Sequence, residues 1–460
     1  MLINRYYVTE HLKLGTMSES FDAQWFAERL GNRTTKGIAR ETAAMIRNGA
    51  LPVGSKLPPV RELAYALGVS PATVSHAWSE LRRHKIIGGL GRSGAWVMGD
   101  RFAPRPERHM SGGNYGPDVL NLSWAVPDVD LLPPLDAALA HGARAESINS
   151  YDRVRITGEL ERAVRRTWPY RPSAFLATSG GFNAIHTLFH ALISPGAPVA
   201  IENPTALRLL DILEDLDVPI LPVDCDAEGP LPQSLAQALE QKPAAFLFEP
   251  RVHAVTGACM SATRLEAIGD LLAGKDVLII EDDGVGDISD APRISLGHRF
   301  ADRVVHVMSY SKTLGPDLRL AVLSSSASIV EQIQSYRSFS AGWTSRILQA
   351  ATAWLLDDPA TDAIIARARK AYCTRRNRLA EELAKQDVPI EIGFGLSVHI
   401  PVVSESFALV TLASRGIAVA PGAKFSTRPT NSIRVATSIL REEDVVRVAE
   451  AIALASDPSR

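Results

Sequence analysis

Lys312 stands in the stretch Ser309-Tyr310-Ser311-Lys312-Thr313-Leu314-Gly315-Pro316-Asp317-Leu318-Arg319, just after the apolar run Val304-Val305-His306-Val307-Met308. That run has the composition of a buried strand in an α/β sheet, which puts the lysine at the strand's end. A lysine held there among serines, with an arginine seven residues on, suits a Schiff-base site for pyridoxal phosphate (PLP). Thr178-Ser179-Gly180-Gly181-Phe182-Asn183 opens an amphipathic helix, whose free N–H groups and dipole could hold a phosphate. Asp282 follows Val277-Leu278-Ile279-Ile280-Glu281 and could keep a pyridine nitrogen protonated, making the ring an electron sink. Ser309, Ser311 and Arg319 could supply further phosphate contacts. Arg434, in Asn431-Ser432-Ile433-Arg434-Val435, falls mid-strand, where a bidentate grip on a carboxylate would justify burying it. Singly these signals are weak, because a lysine after a strand is usually a surface residue and Ser-Gly-Gly is usually just a loop. Their order along the chain, as helix N-terminus, aspartate, lysine and arginine, is what raises the odds.

The elements that must position these groups follow from the pattern around them. Beyond about residue 119, helical patterns alternate with short apolar runs: Val199-Ala200-Ile201, Ala245 to Phe248, Val277 to Ile280, Val304 to Met308 and Leu320 to Leu323. Such alternation implies an α/β body with a mostly parallel sheet, helices on both faces, and a ligand beyond the strands' carboxyl ends.

Residues 31–97 carry a different pattern. One helical segment runs from about Thr35 to Asn48 and closes at Gly49. A second opens at Leu57-Pro58-Pro59, places Leu63, Ala64 and Leu67 inward and stops at Gly68. Ser70-Pro71 is a helix cap followed by proline at the first helical position. In that third helix Val74, Ala77, Trp78 and Leu81 form a buried stripe. Ala72, Thr73, Ser75, His76, Ser79 and Arg83 make the opposite face, small and polar enough to enter a major groove. Ile86-Ile87, the Gly88 to Gly94 segment and Ala95-Trp96-Val97 read as a two-stranded wing, whose tip residue Arg92 could enter a minor groove. These features define a winged helix-turn-helix. Residues 98–118, with Pro104, Pro106, Gly112, Gly113, Gly116 and Pro117, read as a linker to the body at 119–460. Residues 1–30 carry little pattern, and Met17 is an alternative start.

Charge supports the division. From 31 to 100 there are ten basic residues and four acids, an excess of +6 that leaves −8 on the rest of a chain whose net charge is −2. A basic module on an acidic body suits a phosphate backbone as partner, double-stranded DNA. No apolar stretch reaches the ~20 residues that a membrane span needs. Cys225, Cys259 and Cys373 match no zinc or disulfide spacing, so no metal site is expected and a reducing cytoplasm is the simple location.

The stretch from Gly54-Ser55-Lys56-Leu57-Pro58-Pro59-Val60-Arg61-Glu62-Leu63-Ala64 through Leu67-Gly68-Val69-Ser70-Pro71-Ala72-Thr73-Val74 resembles the DNA-binding domain of the GntR family. That resemblance implies DNA contacts by Arg61, Ser70, Thr73 and Arg92. Pro71 replaces the arginine that often follows the serine. A structural alternative pairs Arg61 with Glu62 or Glu80. The body resembles the fold-type I aminotransferases over some 330 residues, and the whole resembles the MocR subfamily of bacterial transcription regulators. The resemblance makes Lys312 the Schiff-base lysine, Asp282 the pyridine-nitrogen partner and Arg434 the carboxylate arginine. Gly180, Gly181, Ser309, Ser311 and Arg319 fall on the phosphate cradle, and a homodimer is implied.

The departures from that family are local. Ala206 stands where a tyrosine is common. Ala254-Val255-Thr256-Gly257 replaces Asn-Pro-Thr-Gly, and Glu281-Asp282-Asp283-Gly284 replaces Glu-Asp-Asp-Tyr, so two donors to the cofactor's phenolic oxygen are lost. Arg319-Leu320-Ala321 replaces Arg-x-Gly. Each lost bond is worth roughly 0.5–1.5 kcal/mol, and two or three would weaken the cofactor roughly ten- to several-hundred-fold. His253 is either a substitute donor or a packing histidine. The sequence therefore predicts a DNA-binding regulator that takes PLP on Lys312 and senses a small amino-containing effector, with residual or absent aminotransferase activity. Two alternatives stand beside it: a working aminotransferase with a DNA-binding head, and a regulator whose body no longer takes PLP.

Overall fold

The computed structural model describes residues 21–84, 86–89, 94–99, 106, 108, 115–388 and 390–457. The chain divides into two compact units between residues 105 and 106. No helix among the described residues is long and apolar enough to cross a membrane.

In the smaller unit the caps act where the sequence puts them. Helix α1 (Ala23–Ala27) precedes α2 (Thr35–Arg47), which starts where the Thr34 hydroxyl accepts the Gly37 N–H at 3.1 Å. Helix α3 (Val60–Leu67) stops at Gly68, whose φ of 64° is the left-handed conformation that glycine adopts without a Cβ penalty. Helix α4 (Pro71–Arg83) starts at Ser70, whose Oγ accepts the Thr73 N–H at 3.1 Å. Val74, Ala77, Trp78 and Leu81 are all buried, as their spacing predicts. Strands β1 (Ile87–Gly88) and β2 (Trp96–Val97) pair antiparallel, and Arg82 on α4 donates to the Gly89 carbonyl at 3.0 Å, tying helix to wing. Two findings extend the expected boundaries. Phe26 of α1 is fully buried and packs edge-on against Trp78. Met98 and Gly99, expected in the linker, still donate to the Ile86 carbonyl. Arg92 lies outside the described residues.

The larger unit is built on eight strands: β3 (Ala174–Thr178), β4 (Val199–Asn203), β5 (Ile220–Asp226), β6 (Gly229–Pro230), β7 (Ala245–Phe248), β8 (Leu278–Asp283), β9 (Val304–Ser309) and β10 (Ala321–Ser325). Their order across the sheet is β3-β10-β9-β8-β7-β4-β5-β6. The central run from β9 to β5 is parallel, as the apolar runs predict; β10 lies antiparallel between β9 and β3. Leu323 and its neighbours look the same in sequence as a parallel strand, because an apolar run carries no direction. Separate clusters of buried side chains cover the two faces, so helices pack on both. The C-terminal part forms its own small antiparallel sheet, β11 (Ser397–Pro401), β12 (Ala420–Pro421) and β13 (Ser432–Ala436), around a third core.

Candidate functional site

Parallel strands bring their carboxyl ends to one edge, and the chemistry-bearing residues lie along it. β3 ends at Thr178 and gives way to helix α5 (Gly181–Leu192). Gly180 caps this helix at φ 101°, and a Cβ there would lie 3.0 Å from the Arg319 guanidinium. A Cβ on Gly181 would lie 3.2 Å from Ser309 Cβ and 4.0 Å from Asp282 Oδ1. The two glycines thus keep open a hollow bounded by three residues the sequence singles out. Arg319 donates to the Ser179 carbonyl at 3.1 Å. The Ser309 and Ser311 hydroxyls lie 3.4 Å apart, and the register pairs Ser309 with Ala321 and Ala321 with Thr178. Arg208, on α6 (Leu207–Asp215), is an addition that sequence reasoning missed. It stacks on Phe182 at 4.6 Å, and burial together with the nearby Arg319 charge lowers its pKa. Two guanidiniums that repel each other beside a helix N-terminus make a site for a dianion.

Asp282 differs from its neighbours. Glu281 accepts from Ser295, from the Leu296 N–H and at 2.7 Å from His306, while Asp283 pairs with Arg251 at 3.3 Å. Arg251 also holds Asp287 at 3.0 Å. No hydrogen bond from the described residues reaches the Asp282 carboxyl, which is buried; burial and the Asp283 charge push its pKa up to about 7, against the pull of Lys312. A carboxyl left without a partner at the end of a buried strand is suited to a cationic N–H that the protein itself does not supply. Lys312 is half-buried, and burial lowers its pKa while Glu249 and Asp282 oppose the shift. An amine that sheds its proton more readily is the nucleophile that an aldehyde requires.

Arg434 sits mid-strand on β13, opposite Ala420 and His399. It is buried, stacks on Phe425 at 4.3 Å and donates to the Ser123 carbonyl at 2.8 Å, but its Nε has no partner among the described residues. Burial lowers its pKa to about 10. A carboxylate would satisfy both the charge and the idle N–H.

His253 is resolved as a packing residue. Its Nε2 lies 2.8 Å from the Pro204 carbonyl and its Nδ1 accepts from the Thr256 N–H at 3.1 Å, so neither nitrogen is free to donate to a ligand. Glu202, Cys225 and His253 gather within 4.8 Å, a grouping their sequence positions conceal, with both histidine nitrogens already engaged. Of the two lost donors, Gly284 lies beside Asp282, a Cβ there being 3.6 Å from Oδ1, and the Ala254 N–H donates to Glu249.

In the smaller unit Arg61, Ser75, His76, Ser79 and Arg83 are exposed. Among the described residues no ion pair joins Arg61 to Glu62 or Glu80. Ser70 and Thr73 sit together at the start of α4, their hydroxyls 2.9 Å apart, with the serine oxygen serving as cap.

Two protein families match this chain, "Aminotransferase class I and II" over residues 117–452 and "Bacterial regulatory proteins, gntR family" over residues 34–97. The vitamin B6 salvage pathway transcriptional repressor PtsJ of Salmonella typhimurium is 31% identical across 90% of this chain and 97% of its own length. The HTH-type transcriptional regulator TauR of Rhodobacter capsulatus is 26% identical across 92% and 96%. Among solved structures, an archaeal alanine:glyoxylate aminotransferase superposes with a TM-score of 0.68 at 22% identity, over 76% of this chain and 92% of that one. The α-aminoadipate aminotransferase LysN of Thermus thermophilus gives 0.69 at 18%, over 82% and 97%. At these identities the structural likeness speaks for the fold.

Proposed function

We infer function from membership: this chain belongs to the aminotransferase class I and II family, joined to a gntR-type head in the MocR arrangement, and is a transcription regulator. Its body takes PLP, and Arg434 receives the carboxylate of an amino-containing effector. The observation that carries this reading is the convergence of the Gly180–Gly181 hollow, Ser309 and Asp282 along the edge where Lys312 lies. When bound, PLP supplies an aldehyde for an amine and a ring that withdraws electrons. The α5 N-terminus with Arg208 and Arg319 binds the phosphate. Asp282 holds the proton on the pyridine nitrogen, and Lys312 provides the amine. An amino-containing effector held by Arg434 would compete with Lys312 for the cofactor, which would couple effector level to the state of the pocket. Arg61, Ser70, Thr73 and Arg92 serve the DNA contact, and two chains paired through their bodies present two heads to an operator.

The purified protein should develop a visible absorbance band on addition of PLP, and Lys312→Ala should abolish it while leaving operator binding measurable. No band in the native sequence would overturn the cofactor assignment. A second reading, favoured by the missing side chains at Ala254 and Gly284 and by the name of the Salmonella relative, makes PLP itself the signal. Weakened holding lets occupancy follow concentration. Operator affinity that changes with PLP alone would select this second reading; a change that needs an added amino acid would select the first.

A further inference from the structure

One buried carboxyl in this pocket has no role among the anchoring residues named so far. Glu249 comes directly after β7, one step beyond the Phe248–Glu281 register pair, which sets it beside Asp282 on the neighbouring strand. It is 3% exposed. Its Oε2 accepts the Ala254 N–H, and its Oε1 is buried without any partner among the described residues. Glu202 lies behind it, with Oε2 accepting the Glu249 N–H at 2.8 Å and Oε1 likewise orphaned. Burial, with Asp282 nearby for Glu249 and Glu249 nearby for Glu202, holds both carboxyls well above the ordinary range. An ionised carboxyl in such surroundings would leave a buried anion short of donors, whereas a neutral one has an O–H to give.

The β7–β8 register sets Glu249 against Asp282, and the Lys312 charge opposes the upward shift of its pKa. In PLP the ring hydroxyl is on the carbon next to the one bearing the aldehyde, and the nitrogen is across the ring. Ser309, Gly181 and Arg319 of the phosphate cradle lie on the β9–β10 side of Asp282, whereas Glu249 lies on the β7 side, so Glu249 faces the ring edge away from the phosphate, the edge that carries the hydroxyl. Glu249 is also bonded to the backbone of Ala254, the position where an asparagine donor is missing. Resting on the reading of this pocket as a PLP site, we propose that Glu249 is a positioning residue that keeps its proton and donates it to the ring hydroxyl oxygen of PLP, replacing the side chains absent at Ala254 and Gly284.

The full-length protein is loaded with PLP and the pH midpoint of its visible band is titrated for the native sequence, Glu249→Gln, Glu249→Met and Glu249→Ala. A donor at the ring oxygen weakens that oxygen's hold on the proton of the lysine linkage, so removing the donor makes the linkage keep its proton to higher pH. Methionine or alanine should raise the midpoint by roughly 0.5–1 pH unit, and glutamine, which retains an N–H, should leave it near the native value. An ionised Glu249 would instead support the linkage's positive charge, and all three substitutions would lower the midpoint; that result overturns the proposal. Unmoved midpoints in methionine and alanine variants that still bind operator DNA overturn it too, leaving a packing residue only. A native protein with no band at all overturns the cofactor assignment itself, a failure separate from either of these.

Discussion

Asp282→Asn should stabilise the cofactor-free protein and weaken its hold on PLP. In the unfolded chain Asp282 ionises above its ordinary value of 3.8, while in the folded, empty pocket it keeps its proton until about 7. The folded state thus binds the extra proton between these limits, so stability falls as pH rises from about 4 to about 7 and stays lowered above. At about 1.36 kcal/mol per pKa unit the full penalty is roughly 4 kcal/mol, with roughly 2 kcal/mol present already at pH 5. Asparagine is neutral throughout and avoids it. In a unit of this size roughly 1–2 °C accompanies each kcal/mol, so the variant's Tm should exceed the native one by roughly 4–8 °C at pH 8 and by about half that at pH 5. Differential scanning fluorimetry on cofactor-free protein across that range measures it, and a repeat with saturating PLP should show a smaller ligand-induced rise in the variant. If native and variant Tm values run parallel from pH 5 to pH 8, burial does not make Asp282 keep its proton in the empty pocket, and its assignment to the pyridine nitrogen loses its physical basis.

Arg61→Ala should weaken operator binding by ~1–3 kcal/mol if it reads a base, or reduce the slope of log affinity against log salt by about one if it meets a phosphate; unchanged binding at two salt concentrations would remove it from the interface. Gly180→Ala must place a Cβ at φ 101° and 3.0 Å from Arg319, so PLP affinity should drop about tenfold or more while operator binding by the apoprotein is retained. An equilibrium titration followed by absorbance decides it, and native affinity in the variant would mean the hollow is not the phosphate site.

The parts that sequence made legible share a cause: they are periodic or local. Ser70-Pro71, the Val74 to Leu81 stripe and the apolar runs before Asp282 and Lys312 each announce an element over a few residues, and each element formed there. What escaped depends on lateral neighbours. Glu249 after a strand and before a proline reads as a solvated strand end until the β7–β8 register puts it against Asp282. Arg208 reads as one more polar position on an amphipathic helix until α6 turns it toward Phe182 and Arg319. The direction of β10 and the separate C-terminal sheet are likewise decided by partners distant in sequence.

The Phe26–Trp78 contact has a practical consequence. Trp78 belongs to the helix whose outer surface is proposed to meet DNA, and the ring that braces its inner side comes from eight residues upstream of the segment, beginning at 34, that matches the gntR family. A fragment trimmed to that segment would strip the brace and uncover a tryptophan, inviting aggregation and loosening the helix that must fit a groove. Excised heads that begin no later than residue 21 are the ones to compare with the whole chain.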